Sequence, residues 1–120
     1  GLLFMSQKKF EDAISALSMG IRSPIEGVAS QAHLKLGEAH LGAGNREQAV
    51  LQFSRVIYLY SHRPEVAEEA LLKLGMLYLE GKKFAEAKQV YQKLLAKTKR
   101  EDRRDLARKM IDQIQRGMPY

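Results

Sequence analysis

Three histidines, His33, His40 and His62, are the side chains of this 120-residue chain best suited to hold a metal ion or move a proton. Two imidazoles on a helix share one ion when they stand three or four residues apart. His33 and His40 are seven apart, so their spacing points to packing side chains rather than to ligands, and His62, before Arg63-Pro64 in a turn-like stretch, points to neither. Cysteine is absent, which removes thiolate ligands, disulfides and a cysteine nucleophile. Ser18, Ser23 and Ser61 sit in no Gly-x-Ser-x-Gly elbow, and no Gly-rich loop precedes a Lys-Ser or Lys-Thr pair. The neighbouring carboxylates Glu68/Glu69 and Glu101/Asp102 are expected on exposed turns, away from any desolvated pocket that would shift a pKa. No catalytic residue, metal site or cofactor is therefore expected, and the chain reads as non-enzymatic.

Charge offers a second kind of chemistry. Of the net charge of +6, four units lie between Lys97 and Lys109, where Lys97, Lys99, Arg100, Arg103, Arg104, Arg108 and Lys109 outnumber Glu101, Asp102 and Asp105. Such a stretch could meet nucleic-acid phosphates or anionic lipid headgroups. Its acids are interleaved with its bases, no aromatic stands among the cations, and Glu101 and Asp102 fall in the first turn ahead of Arg108 and Lys109, the order a helix dipole favours. A solvated helix face is the preferred reading, and nucleic-acid binding is disfavoured.

The elements that carry these residues repeat. Leu36-Gly37-x-x-His40 returns as Leu74-Gly75-x-x-Tyr78, and each is followed by a Gly-containing turn and then Ala49-x-x-x-Phe53 or Ala87-x-x-x-Tyr91. Phe4, Phe10, Ala13 and Leu17 give a partial earlier copy with Gly1 in the glycine column, so that Gly1, Gly37 and Gly75 are 36 and 38 residues apart. Periods of this size belong to stacked helical hairpins. A small residue at a fixed place lets the paired helix approach closely, and the aromatic column is expected to fill the gap between hairpins.

Boundaries follow from the punctuation. Ser23-Pro24-Ile25-Glu26 reads as a capping box opening a helix over about 24–42, ended by Gly42 and Gly44. Asn45 is a plausible N-cap for its mate, with Ala49, Val50, Phe53, Val56, Ile57 and Tyr60 on the buried side. Pro64-Glu65 opens a helix to about Glu80, stopped by Gly81, and its mate covers about 83–97. Thr98-Lys99-Arg100-Glu101 reads as a second capping box before a mateless last helix with Leu106, Met110, Ile111 and Ile114 on one face. One all-α domain over 1–120 is expected, divided into a truncated first repeat (1–22), a second (23–61), a third (62–98) and a capping helix (99–117). No apolar run approaches the roughly 20 residues of a bilayer span, and the first residues lack the order of a signal peptide. Since Gly1 already falls in the glycine column, the sequence is expected to be part of a longer array.

Leu36-Gly37-x-x-His40, Gly44, Ala49, Phe53 and Leu74-Gly75-x-x-Tyr78, Phe84, Ala87, Tyr91 resemble the tetratricopeptide repeat pattern, with His33 and Leu71 in place of its tryptophan, His40 in place of a tyrosine, and no closing proline. The longer interval, with Ala-Leu-Leu-Lys-Leu-Gly at 70–75 after Tyr60-Ser61-x-x-Pro64-Glu65, is similar to repeats of bacterial cell-envelope proteins. These are of the kind found in the Tol-Pal-associated coordinator of division and the outer-membrane assembly lipoprotein. That resemblance implies a periplasmic or envelope setting, with the cytoplasm as the other option.

The resemblance further implies a right-handed solenoid whose first helices line a concave face. A protein or peptide partner would then dock along Leu34, Leu41, Leu72, Met76 and Leu79, with Lys35, Glu38, Lys73 and Glu80 setting polar register. The alternative is that these apolar residues serve packing. The form of the family that clamps acidic C-terminal tails is disfavoured, because Leu34 and Glu38 stand where its lysine and asparagine belong. Self-association into a homo-oligomer through apolar helix faces is a distinct expectation, and contact of the 97–109 stretch with nucleic acid or anionic membrane is a third.

Overall fold

The computed structural model describes residues 12, 14 and 25–117, so the expectations for the first repeat fall outside the described residues apart from Asp12 and Ile14, both helical. Five further helices follow: α1 (Glu26–Gly42), α2 (Arg46–Leu59), α3 (Pro64–Glu80), α4 (Phe84–Lys97) and α5 (Glu101–Gln115). Among the described residues there is no strand. The architecture is all-α, as the repeat predicts. It divides into two compact units, Gly1–Tyr60 and Ser61–Tyr120.

In the first unit α1 packs against α2 as a helical hairpin. The small-residue column explains how. An added Cβ on Gly37 would lie 2.6 Å from a ring carbon of Phe53, itself fully buried. The aromatic therefore fills the space above the glycine of its own hairpin rather than a gap between hairpins. In the second unit α3 packs against α4 by the same device, with Tyr91 over Gly75 at 2.7 Å from such a Cβ, and α5 packs along α4.

Both hairpin turns share one conformation. Gly44 N–H donates to Leu41 C=O and Asn45 N–H to His40 C=O, while Lys82 and Lys83 repeat the pair on Leu79 and Tyr78. This closure of a helix end needs a left-handed residue after the C-cap. Gly44 supplies it at φ 84°, but in the second turn it is Lys82, at φ 59°, and Gly81 keeps an ordinary φ of −83°. Gly81 ends α3 without being the residue that needs to be glycine.

Two capping expectations require correction. Helix α1 begins at Glu26 behind an extended Ile25, so Glu26 is the first helical residue rather than the third, and Ser23 and Pro24 lie outside the described residues. Thr98 is the C-cap of α4, and α5 starts at Glu101 behind Arg100. Asn45 does occupy the N-cap position of α2, without a side-chain cap bond. Pro64 opens α3 as expected.

Candidate functional site

The residues that the sequence offers for binding lie on the first helix of each hairpin, α1 and α3. In α1, Ala32, His33 and Leu34 are consecutive and all buried, as are Leu36 and Gly37. At 100° per residue this covers more than half of the helix circumference. What stays accessible, beyond Glu26 at the helix start, is a narrow line: Val28, Gln31, Lys35, Glu38 in part, and Gly42. Lys35 Nζ pairs with Glu38 Oε2 at 3.4 Å along it.

Helix α3 has the matching line at Glu69, Lys73, Met76 and Glu80, with Glu80 exposed and Lys73 and Glu69 half-buried. Met76 stands where α1 has Glu38, and it is 58% exposed in the middle of the helix. Leu72, one turn before it, is half-buried, as is Leu41 in α1. Leu34 and Leu79 are fully buried, so these two anchors expected from the sequence belong to the packing and present no surface to a ligand. A thioether held in water on an otherwise polar line is the feature that sets α3 apart.

Two of the three histidines, His33 and His40, sit in the first hairpin's packing, and His62 is exposed in the turn before α3. His33 is buried, donates from Nδ1 to Gln52 Oε1 at 2.8 Å, and has the Tyr60 ring 6.0 Å from its own. His40 is half-buried and accepts a long 3.4 Å bond from Asn45 Nδ2; burial lowers its pKa below the usual histidine value.

The basic stretch is tied into the fold. Arg100 is bound to Asp102 at 2.7 Å, which raises the arginine pKa and holds Asp102 below the ordinary carboxylate value, hydrogen bonding being the main cause in each. Arg104 donates to the Thr98 carbonyl at 3.2 Å. Arg103 turns inward to Glu68 Oε1 at 3.0 Å, and the two side chains are only 14% and 7% exposed. Three of the seven bases thus have intramolecular work, while Lys97, Lys99, Arg108 and Lys109 lie on the outside.

Glu68 is the residue that sequence reasoning misplaced. It is buried inside α3 rather than exposed on a turn, and it accepts from Arg103 and, at 2.7 Å, from the Thr98 hydroxyl. A signal was present: Glu68 stands three and seven residues before Leu71 and Gly75, on the buried side of the helix.

No significant match was found to a curated protein or to a solved structure. One tetratricopeptide repeat model matches residues 1–64 and a second matches residues 69–98. Such repeats generally mediate protein–protein interaction and are typically non-catalytic. With its glycine–aromatic hairpins and more than half of its length matched, this chain belongs to the tetratricopeptide repeat family.

Proposed function

We propose that the chain is a non-catalytic binding module that seats a helix or extended peptide of a protein partner on the accessible line of α3, with Met76 as the apolar anchor. The observation that carries this reading is the 58% exposure of Met76 at a position where the preceding repeat has a glutamate. An unbranched thioether adapts to varied apolar surfaces, and half-buried Leu72 extends the contact. Lys73 and Glu80 on the same helix would set register around it. The test is affinity capture with the unsubstituted protein and with Met76→Glu, checked by circular dichroism for equal folding. Loss of the captured partner supports the anchor, and an unchanged partner list overturns it.

A second reading, self-association, is favoured by one observation in the first hairpin. Ile25, Val28, Leu59 and Tyr58 are all exposed, Tyr58 to 82%, near the open end of the α1–α2 pair. Light scattering across the micromolar range decides it, since a monomer at every concentration removes this reading. The long repeat interval supports an envelope setting for the protein, which fractionation of cells expressing it would test.

A further inference from the structure

We propose that α5 is a releasable cap, held on the α3–α4 hairpin by a latch made of Glu68, Thr98 and Arg103. Its start keeps the repeat interval: Glu26, Pro64 and Glu101 open α1, α3 and α5 at spacings of 38 and 37 residues. In that register Ala32, Ala70 and Ala107 share a column and all are buried. Leu36 and Leu74 are followed by Ile111, and Ala39 and Leu77 by Ile114.

The columns that meet the second helix of the hairpin are different. Where α1 and α3 carry Gly37 and Gly75, α5 has Asp112, and where they carry His33 and Leu71 it has Arg108, both exposed. So α5 is a first helix by position that keeps the face toward the preceding helix and has charged the face that would receive a mate.

That leaves α5 thinly buried. Ala107 is its one fully buried residue, whereas α3 has nine. Apolar burial scales with area removed from water, so the apolar hold on α5 is weak compared with the hold of α3 on α4. The polar cluster sets its position instead. Thr98 Oγ1 donates to Glu68 and accepts from the Arg100 N–H at 3.1 Å, and the Thr98 carbonyl receives Arg104, fixing the linker between α4 and α5. Arg103 then reaches from the first turn of α5 to the same Glu68 oxygen. One carboxylate thus joins α3, the linker and α5. Loss of its charge leaves Arg103 in a poorly hydrated place without a counter-ion, a costly state that swinging α5 outward relieves.

Native-state hydrogen exchange on the full chain tests this. In the unsubstituted protein the α5 amides are expected to exchange through an opening that leaves α4 protected. Glu68→Gln, which keeps the side-chain shape, should speed α5 exchange by about 10-fold or more with α4 unchanged. Joint exchange of α5 and α4 at one rate in the unsubstituted protein overturns the proposal regardless of how the variant folds. So does a Glu68→Gln variant whose α5 protection is unaltered.

Discussion

Phe53 lies so close against Gly37 that a Cβ on the glycine would stand 2.6 Å from the ring's Cε1. Alanine in a helix interior gains about 1 kcal/mol of propensity over glycine, whereas overpacking a closed core costs about 1–3 kcal/mol. Phe53 is fully buried and cannot withdraw, so the clash wins. Gly37→Ala is expected to lower stability by on the order of 1 kcal/mol in urea unfolding, and Phe53→Leu in the same chain should recover part of the loss. Gly75→Ala against Tyr91 should behave alike.

Lys82 carries the left-handed conformation that Gly44 carries in the first turn. A side chain in that region costs roughly 1–2 kcal/mol, of which the greater unfolded-state entropy of glycine offsets part. Lys82→Gly should therefore stabilise the protein by about 0.5–1 kcal/mol, and Gly44→Ala should destabilise it by a similar amount. Denaturant midpoints of the two variants check both signs.

His33 and Gln52 form a buried polar pair, and the second hairpin has Leu71 and Val90 at the same places. His33→Leu alone leaves the Gln52 amide without its partner, which costs about 1–3 kcal/mol, whereas replacing both by the residues of the second hairpin removes the orphan. A double-mutant cycle with His33→Leu and Gln52→Val is expected to show the double variant more stable than His33→Leu. A double variant no better than the single would mean that the pair contributes nothing as a unit.

Burial holds the pKa of His40 below its unfolded value of about 6.5. The native state then binds fewer protons than the unfolded chain, so this contribution is present above about pH 6.5 and is lost as the pH falls through that value toward the folded pKa. Urea midpoints at pH 7.5 and pH 5 should differ less in His40→Gln than in the unsubstituted protein.

Much of the fold could be read from residue types because the determinants are local. Pro64 at the start of α3 and the two Leu-Gly motifs with their aromatics each specify a geometry without help from distant parts of the chain. The errors at Glu68 and Thr98 fall where a side chain has a tertiary partner. Thr98 followed by Glu101 has the spacing of a capping box, yet its hydroxyl is engaged by Glu68, thirty residues earlier. Lys82 takes the conformation that glycine would take more cheaply, a choice that no propensity scale anticipates. The apolar residues proposed for binding sorted themselves by burial alone. Leu34 and Met76 are both large apolar side chains on a first helix, and only the packed structure distinguishes the closed one from the open one.

The most direct test of the proposed binding face places a photo-cross-linking residue at position 76 in one protein and at position 108 in another, each expressed in its native host. The account predicts protein adducts from position 76, on the exposed line of α3, and few from position 108 on the basic helix. Adducts formed from position 108 and absent from position 76 would contradict it.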